Sequence, residues 1–319
     1  MAGVYVSTYT TSGPFAFNLR QYEPVTMTLQ GSVADRAYAV VVDGRVWCLG
    51  TGTDAGYIYE LDRDDITTQL QSVNVSSAGY LSSANGRLYL SEASGSTSND
   101  RVDRLDPTDG SVIWTVSGTI CGPNPTHVSD DGTYAYVVNA DGTARTVTKL
   151  DLSDGSFVDD VQLSGEPTQV VVINNTVFAA RPNAFDAIDA ATMTVSNSYS
   201  YSGLNYGIAT DGTDLFLTGN NVVSRFDVAS STIAENRTVL VSMAGIGIAF
   251  DQRLYTTGAG IGGVQSVVEY DIGPITALTT ASVSGYPFLV SALYENPPFT
   301  PGPRGLGGWG VGETKDEQW

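Results

Sequence analysis

One phrase recurs along the chain: a turn, then a short apolar run holding an aromatic residue. It reads DGRVWCL at Trp47, NGRLYLS at Tyr89, DGTYAYVV at Tyr136, NNTVFAA at Phe178, DGTDLFL at Phe216 and DQRLYTT at Tyr255. A second phrase follows each, an apolar alternation closed by an aspartate: Asp62, Asp106, Asp151, Asp189, Asp227 and Asp271. Successive aspartates lie 44, 45, 38, 38 and 44 residues apart. A glycine then precedes the next unit, at Gly79, Gly122, Gly165, Gly203, Gly245 and Gly285. A repeat of this period means that one supersecondary unit is stacked on copies of itself, because no unit so small can bury its own apolar face.

Within each unit the residues alternate in period two and are rich in Val, Thr, Tyr and Ile, as half-buried strands require. Asp-Gly and Asn-Gly pairs stand between the first two strands of most units, suited to tight hairpin turns. Each unit therefore reads as four antiparallel strands, here a, b, c and d, the content of one propeller blade. Six full units run from Asp35 to Gly285. YPFLVSALYE near the C-terminus has the character of a strand a without successors. GVYVSTY, FAFNLRQYE and VTMTLQG near the N-terminus look like b, c and d without an a, and Glu23 stands 39 residues before Asp62. The two ends are expected to make one composite blade, which removes the open sheet edges of an unclosed ring. The expected fold is an all-β, seven-bladed β-propeller over residues 1–295. Its blades fall at about 4–32 plus 286–295, 35–78, 79–121, 122–164, 165–202, 203–244 and 245–285. An extended tail follows over 296–319.

LDPTDGSVIWTVSG, from Leu105 to Gly118, resembles the repeat of quinoprotein-type propellers, in which an aspartate, a Thr/Ser-x-Gly turn and a tryptophan recur. LDLSDGSFVDDVQLSGEP resembles the related YVTN-type surface-layer repeats. The likeness spans most of residues 35–285. Only one unit carries the tryptophan, so the resemblance implies the fold and does not imply a bound quinone.

Charge narrows the setting. The formal net charge is −19, with 25 Asp and 9 Glu against 13 Arg and two Lys, Lys149 and Lys315. Abundant Asp with scarce Lys resembles the proteomes of salt-loving archaea. At molar salt the Debye length falls to about 3 Å and the repulsion between such carboxylates is screened. A polyanionic surface is a poor partner for nucleic acid. The apolar runs are too short for a membrane span, and MAGVYVSTYTTSG lacks the basic and apolar regions of an export signal. Cys48 and Cys121 lie outside any CxxC or Cys/His cluster and read as small buried hydrophobes rather than a zinc site or a disulfide.

Propellers bind at the face made by the d–a and b–c loops. Aligned on the aromatic marker, His127, Tyr80 and Gln169 fall near the starts of the inner strands. Asp35, Arg36, Glu166, Asn205 and Tyr286 fall in or beside the d–a loops. These eight residues are the expected partner-binding face. His127 is the only histidine. No HxxxH or GxSxG pattern marks a metal or nucleophile, and the Asp-Gly sites do not fit a calcium loop, so they read as turns whose carboxylate accepts a backbone N–H. No catalytic residue, metal or cofactor is expected. The competing class is a propeller enzyme, a glycan hydrolase or lyase using paired carboxylates or a quinoprotein-like oxidoreductase. A third is a cellular scaffold associated with the surface layer.

The tail NPPFTPGPRGLGGWGVGETKDEQW holds four prolines, six glycines and two tryptophans. Prolines favour an extended lead, and glycines let backbone approach another surface. Phe299, Leu306, Trp309, Val311 and Trp319 are then spaced apolar anchors. Together these features suggest a homo-oligomeric structural or adhesion subunit on a particle, such as a spike, turret or tail-fibre head of a haloarchaeal virus. Its propeller face would bind a host surface glycan or protein and its tail would dock to other virion proteins, with neither nucleic acid bound nor a membrane entered. The alternative location is the cytoplasm of a halophilic archaeon.

Overall fold

The computed structural model describes residues 3–10, 16–24, 26–75, 79–92, 100–118, 125–141, 144–201, 207–249, 253–260, 265–272, 275–283 and 286–293. The tail anchors Phe299, Leu306, Trp309, Val311 and Trp319, together with Asn205, lie outside these residues. Among the described residues, the regular structure apart from one short 3-10 turn is strand.

The first blade is composite. β1 (Gly3–Thr10), β2 (Ala16–Tyr22) and β3 (Leu29–Ala34) are completed by β26 (Tyr286–Leu293), giving the order β26-β1-β2-β3. Val4 pairs with Ala292 on one side and with Tyr22 on the other, so the two ends of the ring are hydrogen-bonded into one sheet. The second blade comprises β4 (Arg36–Val42), β5 (Arg45–Gly50), β6 (Tyr57–Leu61) and β7 (Gln69–Asn74). The third comprises β8 (Tyr80–Ala84), β9 (Arg87–Glu92), β10 (Arg101–Leu105) and β11 (Val112–Ser117). The fourth holds β12 (Pro125–Asp130), β13 (Tyr134–Asp141), β14 (Ala144–Asp151) and β15 (Phe157–Gln162). The fifth holds β16 (Gln169–Ile173), β17 (Thr176–Arg181), β18 (Ala184–Asp189) and β19 (Thr194–Ser200).

The last two blades share one six-stranded sheet of β20 (Gly207–Thr210), β21 (Asp214–Asp227), β22 (Thr232–Ala249), β23 (Arg253–Gly260), β24 (Gln265–Ile272) and β25 (Ile275–Ser282). β21 carries both Phe216 and Asp227, so it covers strands b and c of the sixth blade. β22 covers strand d of the sixth blade and strand a of the seventh. The fusion departs from the expected separate sheets and has a local cause. Thr238–Met243 is an unbroken run of strand-forming residues, whereas the other d–a connections carry Gly, Pro or Asn or, before β4, Asp35 with φ of 56°.

The marker aromatics explain why the blades stack. Tyr5, Trp47, Tyr89, Tyr136, Phe178, Phe216 and Tyr255 are all between 0% and 3% exposed. Each belongs to a different apolar cluster, and six of these clusters visibly join residues of one blade to the next. Trp47 packs with Leu88 and Leu105, Tyr89 with Val128 and Ala135, and Tyr255 with Val4 and Tyr22 across the ring closure. Phe216 does the same with Leu254 and Tyr270 inside the six-stranded sheet. Burying one such ring stabilises the fold by about 2–3 kcal/mol, so the seven contacts carry much of its cohesion.

The recurring aspartates build turns. Asp106, Asp151 and Asp189 accept the backbone N–H of Thr108, Ser153 and Ala191 at 2.7, 2.8 and 2.9 Å. Asp109, Asp131, Asp154 and Asp211 do the same for residues two ahead, as the sequence implied. At the a–b turns Asp43 and Gly44 have φ of 48° and 72°, and Asn85 and Gly86 have 47° and 68°. Positive φ at both central residues is the geometry that matches strand twist in a two-residue hairpin.

The residue after the aspartate serves as a latch. The Arg63 carbonyl accepts from the Tyr5 hydroxyl at 3.0 Å and from Gln21 Nε2 at 2.6 Å. The Pro107 carbonyl accepts from Trp47 Nε1 at 3.1 Å, and the Leu152 carbonyl from Trp114 Nε1 at 3.0 Å and Arg104 at 2.9 Å. The Ala190 carbonyl accepts from Lys149 Nζ at 2.6 Å. In each case a side chain of one blade reaches the c–d turn of the next.

Each outer strand opens with a register shift. Tyr22 faces Leu29 while Gln21 faces Gly31; Leu150 faces Phe157 while Lys149 faces Asp159; Tyr270 faces Ala277 while Glu269 faces Thr279. The same bulge occurs in the other four blades. A bulge twists an edge strand out of the flat geometry that would pair with another molecule.

Candidate binding face

The starts of the inner strands lie at one end of the ring, together with the d–a and b–c connections. Among the described residues of that end, those of the second and third blades form a joined set of contacts. Asp35 has φ of 56° and donates its N–H to the Phe17 carbonyl, while its own carbonyl accepts from Thr51. That places the b–c turn beside the first residue of β4. Arg36 then pairs with Asp54 at 2.5 Å, bonds the Asp35 carbonyl at 2.9 Å, and lies with its guanidinium carbon 3.6 Å from the centroid of the Tyr59 ring. The Arg36 side chain is buried under this stack, so its charge is balanced internally.

Tyr80 begins β8 and is exposed. Its ring meets Tyr38 edge to face at 5.2 Å, across the joint between second and third blades. Tyr38 has φ of 53° at an irregularity in β4, which turns its ring toward the neighbouring blade. Burial, aided by Tyr80, pushes the Tyr38 phenol up to about 12. Tyr57 is exposed and lies 6.2 Å from Tyr59. Tyr38, Tyr57 and Tyr59 were not singled out from the sequence. Their spacing within strands is unremarkable: the meeting of two blades puts Tyr38 beside Tyr80, and the packing within the second blade puts Tyr59 under Arg36 with Tyr57 beside it.

The outer part of this end is tied down by charge. The Val75 N–H donates to the Gly56 carbonyl, and the Val75 carbonyl accepts from Arg101 at 2.5 Å. Arg101 also pairs with Glu92 at 2.7 Å and Asp103 at 3.1 Å. Burial lifts the Asp103 carboxyl, while Thr115 and Arg101 oppose the shift. Gly79 has to be glycine: a Cβ there would stand 1.7 Å from the Ser91 carbonyl oxygen.

The remaining expected residues are dispersed around the ring. The Gln169 amide oxygen accepts the Ile208 N–H at 2.9 Å and joins the fifth and sixth blades. Glu166 is exposed on the connection before β16. His127 lies in β12 opposite Val138, with Nδ1 sealed from solvent and without a partner, and desolvation pushes its pKa down to about 4. Tyr286 opens β26, its backbone opposite Tyr9, and its side chain lies outside the described atoms. Tyr80 and Arg36 with Asp35 thus fall on neighbouring blades, whereas Gln169 and Glu166 lie on the fifth.

Buried carboxylates elsewhere are matched either across a blade joint or within one blade. Asp130 accepts from Asn85, Arg87, Tyr89 and Gly132. Asp186 forms a two-point pair with Arg181, and Glu60 pairs with Arg45. Among the described residues there is no group of three or more His, Cys, Asp or Glu side chains that could hold a metal ion. Cys48 is free and buried, and burial pushes its thiol up to about 12.

No protein-family model matches the chain, and no curated protein matches it in sequence. Solved structures do. AztD of Citrobacter koseri superposes with a TM-score of 0.62 at 10% identity, covering 92% of this chain and 98% of AztD. BamB of Moraxella catarrhalis gives a TM-score of 0.53 at 19% identity, covering 82% of this chain and 78% of BamB. The WD40 repeats of RRP9 give 0.62 at 9% identity, with 79% of this chain and 82% of that chain covered. The chain is a seven-bladed β-propeller. At these identities the likeness is one of fold, and chemistry has to be argued from the residues of this propeller alone.

Proposed function

We propose that this propeller is a non-enzymatic recognition and structural subunit of a particle, a virion protein of a haloarchaeal virus, and that its face over the second and third blades takes up a host surface glycan. The observation that carries the reading is the exposed Tyr80 ring braced edge to face by Tyr38. Tyrosine offers a rigid apolar face with a polar tip, which suits partly wet contacts with polyhydroxylated surfaces. Arg36, pinned by Asp54 and Tyr59, and the exposed Tyr57 extend the same end of the second blade. The Asp-rich, Lys-poor composition supports a high-salt setting, and the apolar residues Phe299, Leu306, Trp309, Val311 and Trp319 support attachment to an assembly through the C-terminal segment.

The test is binding of the full chain to purified surface-layer glycoprotein from a halophilic archaeon in molar salt, before and after enzymatic removal of the glycans. Binding that is lost on deglycosylation and weakened about tenfold or more by Tyr80→Ala, with the fold unchanged, supports the reading. Binding indifferent to both, or no binding, overturns it.

A further inference from the structure

We propose that the outer wall of the ring, at the end where the c–d turns lie, is the docking surface for residues 296–319 of a second copy of this chain. The inference rests on the reading that the C-terminal segment joins the protein to an assembly, and it names the receiving surface.

The wall carries a pattern that packing within the ring does not require. Each outer strand begins with a bulge, and at or beside each bulge a large apolar side chain faces solvent, from Leu29 on the first blade to Leu278 on the seventh. On the third and fourth blades the feature is doubled, as Val112 with Ile113 and Phe157 with Val158. These side chains are between 38% and 55% exposed. A bulge sets two successive residues against one partner, so both can point outward where a regular strand would turn one inward. Further along the same strands the outward residues are polar: Thr115 and Ser117 on the third blade, Asp159, Asp160 and Gln162 on the fourth. In a chain of net charge −19, an apolar position kept solvent-facing in every blade marks a contact surface rather than scatter. Trp114 bonds the Leu152 carbonyl and so brings the outer strand of the third blade to the c–d turn that leads into the outer strand of the fourth.

The second component leaves from the same end of the ring. Ala292, Val4, Tyr22 and Leu29 form one row across the first blade. Strands lie about 4.8 Å apart, so the point where the chain passes beyond Leu293 is roughly 14 Å from Leu29. The 24 residues from Asn296 to Trp319 can reach about 80 Å when extended. Their charges nearly cancel, Arg304 and Lys315 against Glu313, Asp316 and Glu317, so the segment can approach an acidic wall without strong repulsion. Its apolar anchors are set among glycines that permit close approach. The leading NPPFTPGP favours an extended lead. Such a lead suits a reach to a neighbouring copy.

The experiment is light scattering on size-exclusion chromatography in molar sodium chloride, with near-ultraviolet circular dichroism to confirm folding. Three full-length proteins are compared: the unchanged chain, a tail variant (Trp309→Ser with Trp319→Ser) and a wall variant (Ile113→Asp with Val158→Asp). Self-association of the unchanged chain, weakened about tenfold or more in both variants, is the expected result. If the tail variant dissociates and the wall variant does not, the wall is overturned as the docking surface while tail-mediated assembly stands. If neither variant changes the association, the tail reading falls with it. A monomeric unchanged chain overturns docking between copies, and a blue-shifted difference in emission between that monomer and the tail variant, which keeps the buried Trp47 and Trp114, would show the segment on its own ring.

Discussion

Trp47 donates its indole N–H to the carbonyl of Pro107, 60 residues further along the chain and one blade further around the ring. The indole also fills the space under Gly110, where a Cβ would stand 2.9 Å from its Cη2 atom. Trp114 repeats both contacts one blade on, with the Leu152 carbonyl and Gly155. A turn in one blade is thus moulded on a ring from the blade before it.

Trp47→Phe keeps most of the packing and loses the hydrogen bond. It should lower unfolding stability by about 1–2 kcal/mol. Gly110→Ala should cost about 1–3 kcal/mol, because it adds a Cβ at φ of 70° and against the indole. The two changes strike one contact, so the double variant should lose less than the sum. Equilibrium denaturation with guanidinium checks this, and strict additivity would show the two groups to be independent.

Asp130 is fully buried and holds Asn85, Arg87 and Tyr89 of the preceding blade. Asp130→Ala leaves a guanidinium and a phenol without their acceptor and should destabilise by about 3–5 kcal/mol. Arg87→Met should cost less, since the Asp130 carboxylate keeps its other three donors. Thermal melts of the two variants give the order directly.

His127 sets an acid limit. Its pKa is about 4 in the folded chain and 6.5 for the free side chain. Between those values the unfolded chain takes up a proton that the folded chain refuses, so this contribution is intact above pH 6.5 and is lost as pH falls toward 4. Asp151, Asp189 and Asp227, held low by turn hydrogen bonds, add a loss in the same direction at still lower pH. His127→Gln should flatten the stability profile between pH 6.5 and 4 and leave the lower limb in place. Melting temperature against pH measures it, and an unchanged slope in that window would show that His127 is not the group responsible.

Salt should stabilise the ring. Raising sodium chloride from about 0.1 M to about 2 M shortens the screening length from roughly 10 Å to under 3 Å and removes most of the self-repulsion of a surface with net charge −19. The melting temperature should rise by several degrees, with most of the gain in the first few tenths molar. A flat or falling curve would separate this chain from proteins adapted to high salt.

Much of the ring is local information. The c–d aspartate and the Asp-Gly pairs each act within a few residues of themselves and the b-strand aromatic recurs in step with them, so their recurrence states blade number and strand order without reference to any contact. Closure by the two ends followed from the same count, because Glu23 and YPFLVSALYE occupy vacant positions in the repeat. Three features were settled only by packing. The outer-strand bulges are register relations between strands c and d, invisible in either strand alone. The Tyr38–Tyr80 pair exists because two neighbouring blades meet with a particular offset, which composition does not encode. The pairing of buried acids with arginines of the same or adjacent blade likewise depends on which strands face each other. A repeat specifies its own unit because hydrogen-bonded turns and alternating faces are short-range; what the units present to one another, and to a partner, depends on distances between residues dozens of positions apart.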